Sequence, residues 1–132
     1  MGKKFVNPES IYDASAFGMS QAVLDTDSSL LFVSGQVDWD HDRQVSHTTV
    51  AGQLEAALEN LRLVLEAAGS SVDSLLHVRI YVRGELEDHL GSMAPILTKF
   101  FGESRPAVTG IGVASLASKA TLVEVEAVAR AE

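Results

Sequence analysis

The chain contains no cysteine. That excludes a disulfide scaffold, a zinc–thiolate site and a cysteine nucleophile, and it fits a reducing, cytoplasmic setting. It also lacks any apolar run near the ~20 residues that a membrane-spanning helix needs. The opening segment, Met1-Gly2-Lys3-Lys4-Phe5-Val6-Asn7-Pro8, carries two lysines but not the apolar stretch of a signal peptide. Met1-Gly2 could begin a myristoylation signal, yet Val6 stands where Ser or Thr is required. Basic residues are scarce: 10 Lys and Arg against 18 Asp and Glu, a net charge of −8. Nucleic-acid binders cluster cations to displace counterions from phosphates. Here the cations are scattered and outnumbered, so nucleic acid is not an expected partner. Repeats, low-complexity tracts and linkers are absent as well.

What remains is the composition of one folded domain spanning residues 1–132. Apolar residues make up 46 % and charged residues 21 %, which is enough to bury a core and too apolar for a disordered chain.

The hydropathy pattern predicts the element order. Lys4–Val6 is a candidate first strand. Ile11 to Gln21 reads as irregular, with Gly18. Gln21–Asp25 and Leu30–Val37 read as two strands joined by the turn residues Asp25-Thr26-Asp27-Ser28-Ser29, and so as a hairpin. Val50, Leu54, Ala57, Leu58, Leu61, Val64, Leu65 and Ala68 recur at spacings of three and four, which predicts an amphipathic helix. Thr48 or Thr49 suits its cap and Gly69 its left-handed stop. Glu59–Arg62 and Arg62–Glu66 are spaced to pair along its surface. Leu75–Arg83 predicts a strand with Leu76, Val78, Ile80 and Val82 on one face and His77, Arg79, Tyr81 and Arg83 on the other. A second helix is expected over Glu87–Phe101, irregular in its first half because Pro95 lies inside it. Strands at Ala107–Val113 and Ala120–Arg130 finish the chain.

The result is an α+β, two-layer β-β-α-β-α-β-β domain, with two helices on one face of a mixed sheet. The other sheet face would carry Tyr81, Leu122 and Val128 among His77, Arg79, Glu124 and Glu126, with no element left to cover it. Such a mixed face fits a subunit interface, so a cyclic oligomer is expected.

Four segments carry a family resemblance. Phe32-Val33-Ser34-Gly35-Gln36 looks like "FVSGQ". Gln53…Ala57-Leu58-Glu59-Asn60-Leu61…Leu65-Glu66-Ala67-Ala68-Gly69 looks like "Q…ALENIKAILEAAG". Phe100-Phe101-Gly102-Glu103…Arg105-Pro106-Ala107 looks like "FFGEHRPA", and Val123–Ala129 looks like "VEIEAIA". Together they run from about Ser20 to Arg130, and the chain resembles the Rid family (reactive intermediate deaminases, also called YjgF or L-PSP endoribonuclease-like). The resemblance implies a chorismate-mutase-like homotrimer with clefts between subunits. It implies hydrolysis of enamines or imines, such as 2-aminoacrylate, to a keto acid and ammonia, without a metal or organic cofactor.

Carried over residue by residue, the resemblance makes Glu124 the group that positions the attacking water. Gly35 matches the family's glycine, with Ser34 beside it. Thr109 and Gly110 match backbone that offers N–H donors. Two positions depart. Val108 stands where the family's carboxylate-gripping arginine is expected, and Met19 stands where it has a tyrosine. Arg105 is not expected to substitute, because its offset along a strand would point it the other way. Gln36-Val37-Asp38-Trp39-Asp40 resembles a branch with a "VxWD" signature that also lacks the arginine. A neutral or bulkier ligand held by Phe17, Met19 and Trp39 is therefore expected in place of a small 2-imino acid.

The residues leave alternatives open. Glu124 is either a general base or half of an ion pair with Arg79 or His77, and Glu126 reads as structural. Trp39 lines a cleft or caps an edge. Ser34 and Thr109 bind a ligand or satisfy backbone. His41 and His47, near Asp38, Asp40 and Asp42, fit neither zinc nor calcium spacing, so no metal is expected. A deaminase-type hydrolase is the first functional reading. A non-catalytic metabolite-binding or regulatory trimer is the second, and an endoribonuclease, which the acidic charge disfavours, is the third.

Overall fold

A computed structural model describes residues 2–131. Eight main elements follow one another: β1 Lys3–Val6, β2 Ala22–Asp25, β3 Leu30–Gln36, α1 Val50–Ala67, β4 Leu75–Arg83, α2 Leu90–Phe101, β5 Ala107–Val113 and β6 Val123–Arg130. The strands form one sheet in the order β1-β2-β3-β6-β4-β5. All neighbours are antiparallel except β4 and β5, which are parallel, so the sheet is mixed.

Helix α1 starts where Thr49 accepts the Gly52 N–H at 3.0 Å and stops at Gly69, whose φ of 75° is the left-handed conformation open to glycine. Its apolar stripe, Leu54, Ala57, Leu58, Leu61, Val64 and Leu65, is buried against Leu31 and Val33 of β3, Val78, Ile80 and Val82 of β4 and Val123, Val125 and Ala129 of β6. On its outer side Arg62 pairs with both Glu59 and Glu66. Met93 and Phe101 of α2 join the same core.

Four expectations change. The β4–β6 register shifts between Leu75 and His77, so Leu75 is buried and Leu76, expected inside, is exposed. The last strand begins at Val123 rather than Ala120, because the buried Gln53 side chain takes the place of the ladder. Its amide donates to the Ala120 carbonyl at 2.8 Å and its oxygen accepts the Leu122 N–H at 2.7 Å. The second helix starts irregularly, as expected, but its α-helical part is shorter: Leu86–His89 forms a 3-10 turn and the α-helix begins at Leu90 rather than near Glu87. Arg105 precedes β5 and has φ 47°, so strand alternation does not govern where it points.

The sheet face away from the helices carries Leu30, Phe32, Val128, Tyr81, Arg79, Glu124 and Glu126, and Phe32 is half exposed.

Candidate functional site

The cleft is built around an irregularity in β3. Val33 registers with Ala127 and Gln36 with Val125, so Ser34 and Gly35 together oppose Glu126 alone. This is a β-bulge, which re-aims neighbouring groups. It sets Gly35 beneath Glu124: a β-carbon at Gly35 would lie 2.5 Å from Oε2 of Glu124 and 2.7 Å from its Cγ. The carboxyl therefore occupies space that only glycine leaves free.

Glu124 and Gly35 line one wall of a cleft of about 240 Å³, whose other walls are Tyr12, Phe17, Met19, Val37, Trp39 and Ala117. That is below the ~300–1,000 Å³ of drug-sized sites, a fit for a small metabolite. Trp39 packs edge-on against Tyr12, with ring centroids 5.1 Å apart, and lies 6.5 Å from Phe17. Its indole N–H donates to Thr121 Oγ1 at 3.1 Å, which fixes the ring plane.

Three polar groups, Asp38 and Gln21 buried and Asn60 partly so, hold the loops around these walls. The Asp38 carboxylate accepts the Ser46 and His47 N–H groups at 3.1 and 2.7 Å and lies 3.0 Å from His47 Nδ1. Gln21 donates to the Tyr12 carbonyl at 2.9 Å and accepts from Gln36 at 2.9 Å. Asn60 on α1 donates to the Val37 carbonyl at 2.8 Å.

The two carboxylates on this face have separate surroundings. Glu126 faces Arg79 across the strands, 3.5 Å from its guanidinium, and accepts the Tyr81 hydroxyl. Among the described residues Glu124 has no ion-pair or hydrogen-bond partner. Burial pushes its pKa above the ordinary value, and the charge of Glu126 adds to the effect. The ion pair read from the sequence for Glu124 or Glu126 thus falls to Glu126. Burial also raises the Tyr12 phenol, with the Glu124 charge contributing.

Of the residues singled out in the sequence, Glu124, Gly35, Phe17, Met19 and Trp39 come together here. Ser34 does not line the cleft; its hydroxyl donates to the Gln21 carbonyl at 3.1 Å. Val108, Thr109 and Gly110 lie on β5, two strands away from β6. Val108 and Gly110 register with Val78 and Ile80 and so share the helix side of the sheet, where a β-carbon at Gly110 would meet Leu86 Cδ2 at 2.9 Å. Thr109 registers with Arg79 and shares the open face. Within one chain these three residues do not reach the Glu124 cleft. Sequence reasoning did not single out Tyr12, Val37 and Ala117. Only Tyr12 gave a usable signal, as an aromatic residue inside a polar irregular stretch.

A larger groove of about 560 Å³ runs between α1 and α2, over Leu58, Val72, Pro95, Ile96 and Phe100. Its guanidinium, Arg62, is already held by Glu59 and Glu66, and the unpartnered carboxyl lies in the smaller cleft.

The family model for "Endoribonuclease L-PSP" matches residues 13–131. A RutC family protein of Pyrococcus horikoshii is 32 % identical over 105 residues, covering 79 % of this chain and 81 % of that protein. A solved yeast structure is 28 % identical with a TM-score of 0.88, covering 99 % of this chain and 100 % of that one. A Yersinia pestis structure of the conserved Rid protein family is 30 % identical with a TM-score of 0.73, covering 98 % and 99 %.

Proposed function

The chain belongs to the endoribonuclease L-PSP family, which includes Rid proteins, and on that premise we propose that it hydrolyses a small imine or enamine, with Glu124 as the group that handles the protons. The observation that carries this reading is the contrast on one sheet face: Glu126 is committed to Arg79 and Tyr81, while Glu124 is unpartnered, raised in pKa and turned into a cleft. Perturbed carboxyls in clefts are candidates for acid–base work.

In the proposed reaction the Glu124 carboxylate accepts a proton from water as the water oxygen bonds to the imine carbon. The carbinolamine that forms takes the proton from Glu124 onto nitrogen. Glu124, ionised again, then accepts the hydroxyl proton and delivers it to nitrogen as the C–N bond breaks and the carbonyl forms, releasing ammonia. One carboxyl can serve both steps, and its raised pKa brings it nearer the operating pH. Substrate binding rests on Phe17, Met19 and Trp39. That selects a ligand with an apolar body, and the cleft lining holds no cation to grip a small 2-imino acid.

We further propose that the protein works as a cytoplasmic homotrimer. Its open sheet face would be covered by neighbours, whose Val108, Thr109 and Gly110 would close the cleft from outside. The family's endoribonuclease description is not carried over, because a net charge of −8 opposes binding to phosphates. A non-catalytic metabolite-binding role is the second reading, favoured by the largely apolar lining of the cleft. The test is imine hydrolysis by wild type and Glu124→Gln. Acceleration lost in the variant supports the enzyme, whereas saturable ligand binding without product supports the second reading.

A further inference from the structure

The segment Trp39–Val45 is a small hairpin at the cleft mouth, with Trp39 and Val45 bridged antiparallel. Its tip is tightly closed. The Asp40 N–H donates to the Gln44 carbonyl at 3.1 Å and the Arg43 N–H to the Asp40 carbonyl at 2.9 Å. Oδ1 of Asp40 accepts the Asp42 and Gln44 N–H groups at 2.8 and 2.9 Å. This closure forces position 43 into the left-handed region, with φ 60°. Such turn positions favour Gly or Asn, since a β-carbon is strained there. Here the residue is arginine.

The Arg43 side chain turns back towards the cleft. Its guanidinium carbon lies 5.1 Å from the centroid of Phe17, which lines the cleft and neighbours Trp39. Stacking on an aromatic face holds a guanidinium in place and leaves its edge N–H groups free. Among the described residues Arg43 makes no ion pair. Asp13 lies near enough to feel its charge, but that carboxylate caps the Ser15 N–H at 2.9 Å. A strained backbone, an aromatic rest for the side chain and an uncommitted cation at a cleft mouth point together to a ligand contact.

We propose that Arg43 is the anion-recognising residue of this cleft and grips a ligand carboxylate at the end remote from Glu124. Charge fixes the orientation, because a carboxylate placed beside ionised Glu124 would be repelled. The substrate class is then an imine or enamine whose carboxylate is separated from the C–N group by a ring-sized apolar body lying along Trp39 and Phe17. The substrate assignment rests on the imine-hydrolysis reading, but the anion site itself can be tested without turnover.

Trp39 is the only tryptophan, so its fluorescence reports this cleft alone. The experiment titrates hydrocinnamate and its neutral amide, hydrocinnamide, into wild type, Arg43→Gln and Arg43→Gly. Glycine suits φ 60°, so Arg43→Gly keeps or raises the thermal midpoint and guards against a folding artefact. Wild type is expected to bind the acid roughly 10-fold more tightly than the amide, the low end for a charge-assisted contact. Both variants lose that preference. Equal affinity for acid and amide in wild type, a preference that survives in both variants, or no binding of either probe overturns the proposal.

Hydrolysis assays on the same proteins separate the two claims. An intact acid preference with no turnover sinks the hydrolase and leaves the anion site standing. Glu124-dependent turnover that is indifferent to the carboxylate and to Arg43 sinks the anion site alone.

Discussion

Gly35 and Glu124 share one volume: the carboxyl of Glu124 lies where any β-carbon at position 35 would have to be, 2.5 Å from Oε2. The bulge that opposes Ser34 and Gly35 to Glu126 alone creates this overlap. Gly35→Ala should therefore act through Glu124. Overpacking of this kind costs about 1–3 kcal/mol where neighbours cannot yield. Glu124 can yield by swinging towards the cleft, so the loss should appear mainly in turnover. The expectation is a drop of at least about 10-fold in kcat, consistent with displacing a proton-transfer group, with a thermal midpoint lowered by only a few degrees. Steady-state kinetics beside a melting curve checks both.

The pH dependence of the rate should respond to Glu126. Water activation needs ionised Glu124, so the rate rises with pH through the Glu124 pKa. That pKa is raised by burial and then by the charge of Glu126. Glu126→Gln removes the negative charge and also releases the Arg79 cation held 3.5 Å away. Both changes favour ionised Glu124, so the acidic limb of the kcat/KM profile should move to lower pH. A limb that stays in place would show that another group sets it.

The same raised pKa has a consequence for stability. The folded state binds the Glu124 proton more tightly than the unfolded chain does. This group therefore stabilises the fold below its unfolded pKa of about 4.3, and the contribution is lost as pH rises through the folded value. At neutral pH, Glu124 is a half-buried charge near another carboxylate. Glu124→Gln should melt higher than wild type at about pH 7, and the gap should close towards about pH 4. Thermal melts across that range give the answer.

The elements built on local signals were legible in the sequence. Leu75–Arg83 and Ala107–Val113 form strands with the bounds expected, Thr49 caps α1 and Gly69 ends it. Features set by distant partners were not. The doublet Leu75-Leu76 gives no hint which leucine faces inward, because a register shift against β6 decides it. Alternation placed Arg79, Tyr81, Glu124 and Glu126 on one face, but only the β4–β6 register opposes Arg79 to Glu126 and leaves Glu124 unpartnered. The cleft draws Tyr12, Val37 and Ala117 from three separate segments. Val37 and Ala117 carry no chemistry that would mark them. Arg43 escaped notice because a charged residue in a polar loop reads as solvated surface until its φ and its contact with Phe17 are seen.

The most direct test of the central claim is the rate of ammonia release from imines that carry no carboxylate on the imine carbon, generated in situ by a flavin-dependent amine oxidase, with wild type and Glu124→Gln compared on aromatic and aliphatic imines. The account predicts acceleration by wild type, greatest for imines with a ring-sized apolar body, and a loss of about 100-fold or more in the variant, the lower bound for removing a general acid–base group. Equal rates in wild type and variant, or no acceleration over buffer by wild type, would contradict it.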